Sequence, residues 1–142
     1  MDKYQMIIIM VYLLSMSIMD LKVKKISYTA SILCILGIIC CYIVKGKVAD
    51  MYLLSGTLLG LGIIFLSKLT SGAIGIGDGI VFCLTGSVLG VIQNFSLLCI
   101  SLLLAGAASI FLLCIHKLKK KDKIPFVPFV FLAFGGMIYY GL

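Results

Sequence analysis

Six apolar runs occupy almost all of this 142-residue chain and leave only short polar segments between them. Charge clusters and glycine breaks place the runs at about 4–20, 27–44, 51–69, 78–93, 95–115 and 124–141. A helix needs roughly 20 apolar residues to cross a bilayer, so these runs predict membrane-spanning helices. Hydrophobic residues make up 63% of the chain and charged residues 12%, a balance that a soluble domain could not place on its surface. We therefore expect an all-α polytopic membrane protein, a bundle of about six transmembrane helices forming a single domain over residues 1–142.

The first run has a second interpretation as the apolar core of a cleaved signal peptide, with Ser15 and Ser17 as the small residues before the cut. The run is long for such a core, and Lys22, Lys24 and Lys25 follow it in the manner of a stop-transfer flank. The sequence favours a retained first span.

The lysines predict the orientation of the bundle, because cytoplasmic loops of membrane proteins carry the excess of positive charge. Nine lysines follow odd-numbered runs, and three lie on the other side. We therefore expect a multi-pass protein of the cell membrane with both termini outside and with loops 21–26, 70–77 and 116–123 in the cytoplasm. All twelve cations are lysines, mostly grouped between apolar runs, which argues against a nucleic-acid partner.

Two aspartates stand at the edges of the predicted spans. Asp20 closes the first run and Asp78 opens the fourth, so the topology places both at the cytoplasmic face. Charged groups at the edge of a membrane are costly and often functional. The other acidic residues, Asp2, Asp50 and Asp122, lie in a terminus or in hydrophilic loops, and the chain has no glutamate. Asp20 and Asp78 are therefore the candidates for an acid–base pair at the membrane boundary.

Two neighbouring carboxylates could hydrolyse a peptide bond without a metal or a cofactor. One would hold a proton while the other stays charged, since two like charges at close range do not both ionise cheaply. The ionised member draws a proton from the attacking water, and the protonated member donates to the carbonyl oxygen. The cysteines show no CxxC pair, so we expect no metal site. Spacing alone leaves open a structural interpretation, in which Asp78 caps the fourth helix and Asp20 is a solvated interfacial charge.

Glycines surround Asp78 at positions 72, 75, 77 and 79. They predict a backbone that can adopt positive φ and that lets a substrate strand or a neighbouring helix approach closely. Irregular backbone at membrane depth must be covered by protein or line a wet cavity. We expect Gly75 and Gly77 to shape a site beside Asp78.

Three motifs resemble those of the type IV prepilin peptidases, a family that includes archaeal preflagellin peptidases. The first is segment 20–27, an aspartate followed by a basic stretch, and the second is Gly-Ile-Gly-Asp at 75–78. The third is Ile-Pro-Phe-Val-Pro-Phe at 124–129, followed by an apolar run with Gly135-Gly136. The motifs occur in the family's order and together cover essentially the whole chain.

The resemblance implies a function. Members of this family are intramembrane aspartic proteases that remove the short basic leader of prepilins at the cytoplasmic face of the membrane. The resemblance implies that Asp20 and Asp78 are catalytic. We expect Lys22, Pro125 and Phe126, which stand in or beside the same motifs, to bind substrate or to shape the site, while Pro125 also suits a structural role in the first turn of a helix. The resemblance also implies a type IV prepilin or pseudopilin as the substrate partner within the lipid bilayer and no cofactor, and it leaves the oligomeric state open.

Larger members of the family also methylate the new pilin amino terminus through an additional amino-terminal region. Nothing in this sequence resembles that region, so we expect peptidase activity without a methyltransferase domain. The chain departs from the usual first motif at Ser27-Tyr28, where the family has Pro-Asn, and at Ile80, where it often has lysine. Neither departure removes a carboxylate.

Two other functions stay open at this point. The first is a non-enzymatic membrane transport or secretion-system subunit that uses the same aspartates to bind ions or partners. The second is another GxGD-type intramembrane protease whose substrate is not a pilin, such as a signal-peptide remnant. The small size of the chain and the Pro-Phe motif before the last run favour the pilin branch.

Overall fold

The protein is all-helical in the part of the chain that the structure describes. A computed structural model describes residues 3–23, 28–44, 51–70, 75–115 and 125–141. These residues form six helices and no strand: α1 (Lys3–Val23), α2 (Tyr28–Val44), α3 (Met51–Leu69), α4 (Ile76–Leu89), α5 (Val91–Cys114) and α6 (Val127–Tyr139). The helical fold class expected from the apolar runs is therefore confirmed for these residues.

Two of the helices are long and apolar enough to cross a membrane. They are Tyr4–Lys22 within α1 and Val91–Cys114, which is the whole of α5. The apolar stretches of the other described helices, from α2, α3, α4 and α6, are each shorter than a full span by the same measure. Six membrane crossings therefore stay a prediction.

α3 and α4 approach each other more closely than ordinary side chains would allow. A Cβ atom added at Gly60 would overlap the backbone of Cys83, and one added at Gly56 would overlap the carbonyl of Gly86. Glycines permit such backbone contact because they have no side chain. Since later residues of α3 meet earlier residues of α4, the two helices run antiparallel.

A single residue separates α4 from α5. Gly90 has a φ of 76°, a left-handed conformation that glycine adopts at little cost. We expected the fourth span to end at Gln93-Asn94, and this boundary is wrong because both residues lie in the first turn of α5. The polar pair suggested a helix end, but the backbone reverses at the glycine that precedes it.

Asn94 lies inside the bundle because all of its amide groups find partners there. The residue is fully buried, and its Nδ2 donates to the carbonyls of Gly56 at 3.2 Å and Phe82 at 2.9 Å. Its Oδ1 accepts the hydroxyl of Thr85 at 2.8 Å. These bonds replace the hydrogen bonds to water that the amide gives up on burial. Asn94 therefore ties α5 to both α3 and α4.

α1 packs against α2 and α6 along the other side of the bundle. Ile9, Leu13 and Met16 of α1 are buried in the core, and the hydroxyls of Tyr12 and Ser31 share a hydrogen bond of 3.1 Å. The last turn of α1 reaches the start of α6, so these two helices are antiparallel. We call the end of the bundle formed by the last turn of α1 and the first turns of α4 and α6 the aspartate end.

The α3–α4 contact predicts that Gly60→Ala destabilises the fold by about 1–3 kcal/mol, because the added methyl group must push against backbone. Gly62→Ala is the matched control on the same helix, since an added Cβ there meets nothing within 4 Å. Thermal unfolding of the two variants in detergent measures the difference. Equal stability of the two variants would contradict the close contact.

Candidate functional site at the aspartate end

Asp20 lies in the last turn of α1, where it is half-buried. Its Oδ2 accepts the backbone N–H of Val127 at 3.1 Å. Val127 is the first residue of α6, so its amide has no acceptor within its own helix. A carboxylate is also favourable at the positive end of the helix dipole. Asp20 thus has a structural contact as the acceptor for the start of α6.

The sequence Pro-Phe-Val-Pro at 125–128 determines where α6 begins. Phe126 is the residue that precedes the first turn, and it makes no side-chain capping hydrogen bond. Pro128 occupies the second helical position, where a missing N–H costs little. Pro125 lies just before the helix and is half-buried. Because this sequence supplies no polar cap of its own, the acceptor for Val127 comes from Asp20.

Asp78 lies in the first turn of α4, three residues after Gly75, and is half-buried. Its backbone N–H donates to the carbonyl of Gly75 at 3.1 Å. The start of α4 has no side-chain capping hydrogen bond, so the capping role suggested by the structural interpretation is not observed. A Cβ atom added at Gly75 would lie 2.9 Å from Oδ2 of Asp78. The carboxylate therefore folds back over the α-carbon of an exposed glycine.

The glycines around Asp78 let neighbouring groups approach the backbone closely, and they do not adopt an unusual backbone conformation. Gly75 has φ −66° and ψ 125°, and Gly77 and Gly79 lie within the helix, so the expectation of positive φ is wrong for these three. At Gly79, an added Cβ would crowd the side chain and backbone of Ile64 in α3. Gly72 lies outside the described residues.

The structure brings Asp20 and Asp78 together. Asp20 lies near enough to Asp78 for the two carboxylates to repel each other when both are ionised. They reach this position because the last turn of α1 and the first turn of α4 lie at the same end of the bundle, and the two helices are in contact. The two edge carboxylates identified in the sequence therefore form one site.

An aromatic contact lies beside the two carboxylates. The rings of Phe82 and Phe126 have centroids 6.3 Å apart and an interplanar angle of 33°. Phe82 is fully buried in α4, one turn after Asp78, and Phe126 immediately precedes Val127. Such ring pairs contribute roughly 0.5–1.5 kcal/mol beyond the burial of their area. Phe126 was predicted from the sequence and Phe82 was not. Phe82 follows Asp78 by four residues, a spacing that places these two side chains on one face of α4.

Lysines stand near this site without pairing with it. Lys22 is exposed in the last turn of α1, and Lys68 is exposed near the end of α3, which lies beside the start of α4. Neither makes an ion pair with a carboxylate in the described part of the chain. The lysines predicted for loops 21–26 and 116–123 lie outside the described residues, except Lys22.

In comparisons with known proteins, no family model, curated protein or solved structure matches this chain. Membership of the prepilin peptidase family therefore stays a prediction from three short motifs. The fold adds one observation to them: Asp20, the Gly75–Asp78 segment and Phe126 meet at one end of the bundle.

The bond between Asp20 and Val127 predicts a stability difference between two variants. Asp20→Asn keeps an oxygen acceptor for the amide, whereas Asp20→Ala removes it and leaves the start of α6 uncapped. Both variants remove the repulsion with Asp78, so that effect cancels in the comparison. We expect the alanine variant to be less stable by about 0.5–2 kcal/mol in thermal or denaturant unfolding. Equal stability would show that this bond contributes nothing to holding α6.

Proposed function

We propose that this protein is an intramembrane aspartic peptidase that removes the short basic leader of type IV prepilin-like proteins at the cytoplasmic membrane face. The observation that carries the proposal is the meeting of Asp20 and Asp78, which are 58 positions apart in the chain, at one end of a helical bundle. One part of each motif, namely Asp20, the Gly75–Asp78 segment and Phe126, lies at this end of the bundle, which supports the proposal.

Exposure of apolar side chains supports a position within the bilayer. In α5, Ile92, Leu103 and Ile110 are each at least 65% exposed, although the helix is long enough to cross a membrane. A soluble protein rarely leaves so continuous an apolar surface in water. Lipid would cover this surface in the proposed arrangement of six spans.

The two ends of the bundle carry different exposed residues, as expected if each end lies at one surface of a membrane. Exposed Lys22 and Lys68 lie at the aspartate end. Tyr4 at the start of α1 and Tyr139 and Tyr140 at the end of α6 lie at the opposite end, where they are also exposed. Lysines favour the cytoplasmic side and tyrosines the interfaces, which supports a cytoplasmic site and termini on the outside.

The contacts of the two aspartates favour different roles in the proposed reaction. The Val127 amide and the positive end of α6 stabilise negative charge on Asp20, so Asp20 is the member that accepts a proton from the attacking water. Within the described residues, no hydrogen-bond donor bonds to the Asp78 carboxylate, and its burial, followed by the nearby Asp20, disfavours a negative charge on it. Asp78 is then the member that donates a proton to the peptide carbonyl oxygen.

The tetrahedral intermediate would collapse by the reverse transfer. Asp20, now protonated, gives its proton to the leaving amine, while Asp78 takes back the proton from the hydroxyl of the intermediate. The carboxyl group of the leader and the free amine of the mature pilin result. Water is the only other reactant, so the step balances without a metal or a cofactor.

Exposed Gly75 provides the room for a substrate beside this pair. The glycine is open to the surroundings, and the Asp78 carboxylate lies next to its α-carbon. An extended peptide backbone can approach a glycine more closely than any other residue. In this proposal, Gly75 shapes the site by leaving space for the substrate backbone beside Asp78.

We expect purified protein to cleave a type IV prepilin in detergent micelles, and Asp20→Asn and Asp78→Asn each to reduce kcat by at least roughly 10²-fold. The reason is that each variant removes one proton-transfer group while keeping the size of the side chain. Gel or mass-spectrometric detection of the released leader measures the rate, and circular dichroism verifies the helical fold.

Retention of near-wild-type turnover by either asparagine variant would overturn the two-aspartate mechanism. Failure of the wild type to cleave a panel of prepilins would remove the pilin substrate. Ion uptake or partner binding that depends on both aspartates, without cleavage, would favour a transport or secretion-system subunit.

Gly75→Ala tests the geometry around Asp78. The added methyl group would meet the end of the Asp78 side chain, and the backbone angles at Gly75 suit alanine, so the carboxylate moves while the helix stays folded. We expect kcat to fall roughly 10- to 100-fold with little change in unfolding temperature. Gly106→Ala in α5 is the control, since an added Cβ there meets nothing within 4 Å. Equal kcat in the two variants would show that Asp78 tolerates displacement.

A further inference from the structure

The two aspartates belong to different parts of the bundle. Asp20 is on α1, which packs along α6 and is bonded to its first residue. Asp78 is on α4, whose closest neighbour is α3 through the glycine contacts. The separation of the carboxylates therefore depends on how the α1–α6 pair is held against the α3–α4 pair.

Among the contacts between these pairs, one is an aromatic side-chain contact beside the site. Phe82 of α4 lies one turn after Asp78, and Phe126 lies one residue before the amide that holds Asp20. Their rings are in contact at a centroid distance of 6.3 Å. A continuous path thus runs from Asp78 through Phe82, Phe126 and the Val127 amide to Asp20.

We propose that Phe82 and Phe126 are positioning residues whose ring contact sets the separation of Asp20 and Asp78. The inference rests on the proposed function for its catalytic consequence, but the positioning itself can be measured without a substrate. Neither ring carries a group that could transfer a proton. Both rings act by holding the start of α4 against the start of α6.

The position of Phe82 makes this role physically reasonable. The side chain is fully buried, so it cannot follow a displaced Phe126 without leaving a void. The carbonyl of the same residue accepts the amide of Asn94, which anchors this turn of α4 to α5. Phe82 is therefore a fixed surface against which the start of α6 is placed.

The first test compares Phe82→Leu and Phe126→Leu with Phe134→Leu in prepilin cleavage. Phe134 is the matched control, because it is a buried phenylalanine of α6, two turns beyond the aspartate end. Leucine keeps most of the apolar volume, so each variant retains the fold more readily than an alanine variant would. We expect kcat to fall roughly 10- to 100-fold in the first two variants with KM little changed, and to stay near wild type in the control.

The second test measures the coupling of the aspartates in the absence of substrate. At pH 8, above the usual range of aspartate, Asp78→Asn should raise the unfolding temperature more when Asp20 is present than in the Asp20→Asn background. This difference reports the repulsion between the two carboxylates. We expect it to be lost in the Phe82→Leu and Phe126→Leu backgrounds and retained with Phe134→Leu.

The two readouts separate the proposals. Loss of the coupling in both site variants supports the positioning role, even if the wild type cleaves no prepilin and the proposed function fails. Retained coupling in either site variant overturns the positioning role, whatever happens to kcat. The positioning role is also overturned if Phe134→Leu loses the coupling as fully as the site variants do, because any buried phenylalanine would then have the same effect.

Discussion

The hydrogen bond from the Val127 amide to Asp20 joins two elements that are 107 positions apart in the chain. It satisfies a helix start that has no cap of its own, since Phe126 offers none. The same bond fixes α1 and α6 as antiparallel neighbours and places a negative charge at the positive end of α6. The proposed division of labour between the aspartates depends on it, because only Asp20 has such a donor in the described part of the chain.

The other half of the bundle is held by contacts of a different kind. α3 and α4 approach through glycines, and buried Asn94 adds hydrogen bonds that join α5 to both. These contacts leave little freedom for α4, which carries Asp78 in its first turn. The separation of the two aspartates depends on the places where these two units meet, and the Phe82–Phe126 contact is one of them.

Much of the fold could be predicted from the sequence, and the misses have local physical causes. The apolar runs predicted α3 with correct bounds and α2 to within one residue, because charged residues and glycine breaks flank those apolar segments. The break before α5 was placed at Gln93-Asn94, since polarity in a sequence does not reveal that Asn94 has three internal partners. Gly77 was expected in a loop but lies in α4, because a glycine tolerates both conformations.

The sequence by itself determined the helical class, the candidate carboxylates and the residues named beside them, because apolar length, charge position and motif spacing are local properties. It could not determine whether Asp20 and Asp78 approach each other, which depends on how α1 and α4 pack. Nor could it show that Asp20 accepts the amide of Val127, that Asp78 leaves the start of α4 uncapped, or that Phe82 meets Phe126. Tertiary structure decided these points, since each is a contact between segments whose sequences carry no information about their distance.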